Sequence, residues 1–180
     1  KEKKLWNGYP EETNAPYGLA KKIHLVQAQA YRQQYGFNAI YLLPVNMYGP
    51  GDCFEAERSH VIAAVIKKIH DAQKQKKNHI TVWGTGQSTR EFIYIEDAVE
   101  ALIMSLEWNN DIINIGSGES ISLRKLYNVV KAIMGREVPL EYAGELVKIS
   151  VNNRKLRSLG WHQKYSLEEG LKKTIDKWEG

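Results

Sequence analysis

Tyr17 and Lys21 stand four residues apart, and chemistry is first legible in this sequence at that pair. On a helix, residues at this spacing share a face, so a phenol and an ammonium reach one ligand together. A free tyrosine is a poor base near neutrality because its ordinary pKa is roughly 10. A neighbouring ammonium favours the tyrosinate, which can then trade a proton with a hydroxyl or a carbonyl. Taken alone the spacing is common, and a surface tyrosine beside a solvated lysine is its more frequent meaning. His60 is a second residue with chemistry, since histidine titrates near neutrality. Taken alone it is also the kind of residue that merely opens a helix.

The surrounding pattern predicts the elements that must hold these residues. Pro16 suits a first helical turn, with Thr13 or Asn14 as cap. Ile23, Val26 and Ala30 then form an apolar stripe that should bury the face beside the Tyr17/Lys21 pair. Gly36 ends this helix, and residues 38–43 read as a short buried strand. Helix, glycine and apolar strand make half of a βαβ unit, so a parallel sheet is expected. The turn-rich run Pro44-Val-Asn46-Met-Tyr48-Gly-Pro-Gly51 follows at the strand's carboxyl end, where open α/β sheets bind ligands. Ser59 should cap a helix opened by His60 and carrying Val61, Ile62, Val65, Ile66 and Ile69. Strands are expected at 80–83 and 90–95, the latter starting at Arg90, with a turn at Gly84-Thr-Gly86. Asp97 should begin a helix that buries Val99, Leu102, Ile103 and Leu106. A strand at 112–115 is closed by Gly116-Ser-Gly118, and Ser122 caps a helix that ends at Gly135. Residues 138–142 read as a last strand, and a short helix surrounds Leu156. Ser166-Leu-Glu-Glu169 is a capping box opening a helix through Leu171, Ile175 and Trp178.

Composition excludes several classes. The 180 residues carry a formal net charge of +4. The lysines are spread over helix ends and loops, so no nucleic-acid partner is expected. No apolar run reaches membrane-span length, and the lysine-rich start is not a signal peptide, so no membrane role is expected. The single cysteine, Cys53, allows no internal disulfide and suits a reducing cytoplasm. The five histidines show no zinc spacing, so no metal site is expected.

Several motifs occur together in a set order. They are Tyr17/Lys21, Pro44-Val-Asn46-Met-Tyr-Gly-Pro50, Ser59-His60-Val-Ile62, Arg90-Glu-Phe-Ile-Tyr-Ile-Glu-Asp97, Asn114-Ile-Gly-Ser-Gly118, and Leu159-Gly-Trp161 with Ser-Leu-Glu-Glu-Gly170. In this order the chain resembles the C-terminal part of the extended short-chain dehydrogenases/reductases, the nucleotide-sugar epimerase/dehydratase group. Ser59 to Ile62, with the Trp-Gly-Thr-Gly turn before Arg90, looks most like the GDP-L-fucose synthase branch. That branch reduces and epimerises GDP-4-keto-6-deoxy-D-mannose with NADPH. The resemblance implies an α/β fold: the end of a Rossmann-type doubly wound sheet in residues 1–51, and a smaller mixed α/β substrate lobe in 52–180, some of whose segments return to the sheet.

The same resemblance implies roles for residues. Tyr17 is the acid/base at the sugar C4, and Lys21 holds the nicotinamide ribose and favours the tyrosinate. Pro44 and Asn46 line the cofactor and diphosphate region. His60 is one of two groups moving protons at C3 and C5, and it lies beside the cofactor. Lys68 and Arg90 hold the diphosphate, for which a guanidinium fork is well shaped. Trp83 flanks the nucleotide. The plain alternatives are a surface ion pair for Arg90 and simple packing for Trp83. The cofactor is NADP(H), with NAD(H) possible, and the complete enzyme is expected to be a cytoplasmic homodimer built through the Tyr17 helix.

The chain departs from the pattern in what it lacks. Gly49-Pro-Gly51, Gly84-Thr-Gly86 and Gly116-Ser-Gly118 do not form the Gly-rich turn that opens a Rossmann helix. The group's active-site serine and second acid/base, a cysteine, lie upstream of its tyrosine, and neither is present here. Cys53 lies downstream of Tyr17 and does not replace that cysteine. The linkers 109–111 and 144–151 are short for the group. An enzyme of another nucleotide-sugar specificity, or a noncatalytic sugar-nucleotide-binding remnant, fits the same motifs.

Overall fold

The computed structural model describes residues 2–55, 57–109, 111–143 and 151–178. The long helix α1 (Ala15–Tyr35) has Pro16 in its first turn and stops at Gly36, whose φ of 65° lies in the left-handed region that glycine enters without a Cβ penalty. The cap expected from Thr13 or Asn14 is not made. Glu11 instead accepts hydrogen bonds from the Thr13 and Asn14 N–H groups. The chain enters α1 through the 3-10 turn Glu12–Asn14, so the free donors come one turn earlier.

Next come β1 (Tyr41–Pro44), displaced from the expected 38–43, and β2 (Asn46–Tyr48), a strand inside the segment expected to be turn alone. Helix α2 (Val61–Lys74) starts after His60, which takes the N-cap position in place of Ser59 and makes no side-chain cap bond. Strands β3 (Ile80–Trp83) and β4 (Thr89–Tyr94) lead directly into α3 (Ile95–Met104). Strand β5 (Ile112–Ile115) and the unexpected β6 (Ser120–Ser122) precede α4 (Leu123–Met134). Then follow β7 (Leu140–Ala143), α5 (Arg154–Ser158) and α6 (Leu167–Asp176), the last opened by the full Ser166/Glu169 capping box.

The fold is α/β with parallel pairing. β1 runs parallel to β5, with Tyr41 opposite Ile112 and Pro44 opposite Ile115. β2 is parallel to β4, which is antiparallel to β6, and β3 is parallel to β7. Alternation along β4 sends Phe92 and Tyr94 to one core with Ile66, Leu126 and Leu171. It sends Ile93 to a second core with Ile113, Leu156 and Trp161. β4 is therefore buried on both faces.

Two expectations about burial are overturned. Ile23 and Val26 are 56% and 48% exposed, and Ala30 is also exposed, so the α1 stripe is uncovered. Helix α3 starts two residues before Asp97, and it buries Ala98 and Ala101 while Val99, Leu102, Ile103 and Leu106 stay exposed. Periodicity identifies an apolar face, but burial needs a partner element to cover it. Among the described residues none does so. β1 is likewise only half-buried to exposed, although parallel sheets are normally covered on both faces. Asn110 and residues 144–150, which carry the short linkers, lie outside the described residues.

Candidate active site

An open cleft of about 790 Å3 runs along the carboxyl ends of β1 and β2, and its wall includes Tyr17, Pro44, Asn46, Asp52 and His60. Helix α1 brings Tyr17, the β1 end brings Pro44, and β2 brings Asn46. The N-cap position of α2 brings His60. Pro44, Asn46 and Asp52 follow one another closely where β1 passes into β2, and Tyr17 and His60 reach this edge from two separate helix starts.

Tyr17 is 67% exposed. Lys21 Nζ lies over its ring, 5.4 Å from the centroid, so the two share one face as the spacing required. The Lys21 carbonyl accepts a hydrogen bond of 2.6 Å from the Tyr41 hydroxyl, tying α1 to β1 beneath the pair. His60 is exposed, and its Nδ1 stands 4.0 Å from Asp52 Oδ1. That is beyond hydrogen-bond length. Asp52 Oδ1 instead accepts from the Cys53 N–H at 2.8 Å. Asn46 Nδ2 donates to the Glu91 carbonyl at 2.9 Å, so its amide orientation is set by the protein. Tyr48, also on the wall, has its phenol pushed up by burial first and then by the nearby Asp97 charge. It is thereby kept neutral. Gly49 is required beside it, since a Cβ there would collide with the Ile95 side chain.

Other expected site residues are placed elsewhere. Arg90 is half-buried on β4, and its guanidinium donates to the Thr89 carbonyl at 3.2 Å. Lys68 is exposed on α2, in a separate groove that it shares with His79 and Thr81. Neither lines the cleft, and among the described residues no lysine or arginine does. The Trp83 side chain lies outside the described side chains. Among the described residues no group of three or more His, Cys, Asp or Glu side chains is placed to hold a metal. No described helix is long and apolar enough to cross a membrane.

Sequence reading missed Glu91 and Asn114, which both line the cleft. The available signal was a carboxylate set among Phe92, Ile93 and Tyr94 in a strand otherwise apolar from Phe92 onward.

For a nicotinamide cofactor the fit is partial. The cleft wall offers the Tyr17 phenol, with Lys21 over its ring, and the oriented Asn46 amide, but among the described residues no lysine or arginine on the wall itself for a pyrophosphate.

Comparison with known proteins gives a consistent result. Residues 2–116 match the profile of the NAD dependent epimerase/dehydratase family. The chain is 38% identical over 173 residues to GDP-L-fucose synthase 1 of Arabidopsis thaliana, covering 92% of this chain and 53% of that protein. It is 37% identical over 188 residues to a GDP-L-fucose synthase of Sinorhizobium fredii, covering 98% and 58%. It superposes with a TM-score of 0.86 and 27% identity on a GDP-mannoheptose C4 reductase of Campylobacter jejuni with NADP bound, covering 98% and 63%. The chain thus spans little more than half the length of the curated relatives it matches.

Proposed function

Because the chain belongs to the NAD dependent epimerase/dehydratase family, we propose that it is the C-terminal part of a nucleotide-sugar reductase–epimerase that makes GDP-L-fucose from GDP-4-keto-6-deoxy-D-mannose with NADPH. The observation that carries this reading is the cleft whose wall holds both Tyr17 and His60, with the Lys21 ammonium over the Tyr17 ring. Residues 1–51 then end a Rossmann-type domain, and 52–180 are mainly the substrate lobe. The uncovered apolar face of α1 at Leu19, Ile23 and Val26 suits both contact with the other half of that domain and a homodimer through α1. Sedimentation of the complete enzyme as a monomer would count against the dimer.

When bound, the cofactor supplies the hydride at C4. Tyr17 gives a proton to the C4 oxygen, and Lys21, whose ammonium lies over the Tyr17 ring, holds the ribose. A C4 ketone acidifies the hydrogens at C3 and C5. Epimerisation takes a proton from one face and returns one to the other, so two differently placed groups are needed, and His60 is one of them. Its exposed ring at the cleft edge suits exchange with solvent. The chain by itself is expected to be inactive and to hold NADP(H) only weakly, because the phosphate cradle is absent. A micromolar dissociation constant for NADPH on the isolated chain would contradict that.

The deciding experiment follows the complete enzyme turning over GDP-4-keto-6-deoxymannose with NADPH in deuterated water. The expected product is GDP-L-fucose carrying deuterium at C3 and C5. His60→Gln should lose that exchange while substrate and NADPH still bind. Reduction without epimerisation by the parent enzyme, or normal exchange in the variant, would remove the fucose reading and leave an epimerase or dehydratase of other specificity.

A further inference from the structure

We infer that Glu91, which takes no part in the chemistry above, is a positioning residue that sets the cleft wall formed by Asn46, Asn114 and Val151. The inference rests on the reading of this cleft as the cofactor and sugar site.

Glu91 is fully buried on β4. One carboxylate oxygen accepts from the Gly118 N–H at 2.7 Å, and the other accepts from the Val151 N–H at 2.9 Å. No lysine, arginine or histidine forms an ion pair with it among the described residues. Burying a carboxylate without a counter-charge is costly unless hydrogen bonds replace its hydration. A β-branched apolar residue would suit this strand better for stability alone. The charge is therefore tied to what it holds.

It holds three chain segments at the cleft. A Cβ at Gly116 would collide with the Glu91 carboxylate, so only glycine lets the turn approach that closely. Gly118 follows at φ 82°, where a Cβ would meet the Asn153 amide, and Asn153 Nδ2 donates to the Gly116 carbonyl at 2.9 Å. Asn114 Nδ2 donates to the Asn152 carbonyl at 3.2 Å, fastening β5 to the same segment as Val151. The Glu91 main chain completes the wall, because its carbonyl takes the Asn46 amide N–H. Asn46 Oδ1 and the second Nδ2 hydrogen are then left for a ligand. This part of the cleft therefore presents a fixed amide, suited to a group that both donates and accepts, such as a hydroxyl or carboxamide.

Glu91→Gln tests the inference with little change of volume. An amide cannot accept from Gly118 and Val151 on two separate oxygens, since one of its ends is a donor. In the complete enzyme without ligand, hydrogen exchange at Gly118 and Val151 should quicken by about ten-fold, on the scale of one lost bond to a charged acceptor. Exchange at Ile66 and Leu126 should hold, and the Asn46 side-chain amide resonance should shift. In the complete enzyme the KM for NADPH or for the sugar nucleotide should rise about five-fold or more, with kcat changing less. Glu91→Asp keeps the charge and should recover part of both effects. Unchanged exchange at Gly118, an unmoved Asn46 resonance, or equal loss of protection throughout the chain would overturn the inference. So would failure of both variants to fold, which would assign Glu91 to stability alone. The exchange measurement uses no ligand. Failure of the parent enzyme to bind NADPH or the sugar nucleotide would therefore sink the proposed function and still leave Glu91 decided.

Discussion

Lys21 Nζ stands 5.4 Å from the centre of the Tyr17 ring, one helical turn further along α1. The ammonium faces the phenol across solvent-accessible space, and the Tyr41 hydroxyl grips the Lys21 carbonyl from β1. The pair is thus anchored to the strand whose carboxyl end forms the cleft.

That anchoring gives the first prediction. In the complete enzyme, Tyr17→Phe should keep cofactor affinity and lose roughly 10²–10⁴ in turnover, the range of a general acid–base group. Lys21→Met should weaken both cofactor binding and turnover, because the ammonium serves ribose and phenol together. Steady-state kinetics with fluorescence titration of NADPH separates the two effects. Near-normal turnover of Tyr17→Phe would exclude it from the chemistry.

Trp161 should be the most sensitive single position of the second core. Its indole is fully buried, and its Nε1 donates to the Asp97 carbonyl at 3.0 Å. Asp97 in turn accepts from the Lys164 and Tyr165 N–H groups, so the C-terminal segment is pinned to α3. Trp161→Ala should cost about 3–5 kcal/mol by cavity formation. Trp161→Phe should cost less, with about 1 kcal/mol of it from the lost hydrogen bond. Urea unfolding with an unchanged m-value is the measurement. An alanine variant within 1 kcal/mol of the parent would show that the pocket collapses freely.

The capping box of α6 makes an acid-side prediction. The Ser166 hydroxyl, followed by its backbone N–H, holds the Glu169 carboxyl below its ordinary value. A lowered carboxylate adds stability that is full above the ordinary value and is lost as pH falls through the lowered one. Asp97 works with the opposite sign. Burial, the largest cause, raises it, so its contribution is full at low pH and declines as pH rises through the raised value. Comparing Ser166→Ala with the parent cancels Asp97. The variant should melt roughly 2–4 °C lower at neutral pH, and the gap should narrow under acid conditions to the share of the bond that the Ser166 hydroxyl accepts from the Glu169 N–H. A gap that stayed constant down to strongly acidic pH would mean that Glu169 is not the linked group.

Local rules were enough for much of this protein. The left-handed stops at Gly36 and Gly135, the Ser122 cap and the Ser166/Glu169 box are all in place. Each depends only on residues within about one turn, which a sequence displays directly. The α/β class and the parallel pairing of the first strand followed from alternating helix and strand signals. The Tyr17/Lys21 face followed from helical spacing alone.

Only the tertiary structure decided which apolar faces are covered and which polar atoms meet. The Ile23/Val26 face of α1 and the Val99/Leu102/Ile103 side of α3 have helical apolar patterns and yet stay exposed, because a pattern names a face and not its neighbour. Asp97, expected to open a helix, is a buried acceptor for the Lys164 and Tyr165 N–H groups. Arg90, expected to hold a diphosphate, donates to the Thr89 carbonyl and is not on the cleft wall. Glu91 is the sharpest case. Its partners at Gly118 and Val151 lie 27 and 60 residues along the chain, and no propensity or periodicity reaches that far. Such contacts exist only once the strands have closed, and whether a buried charge stabilises or disrupts a structure depends on them.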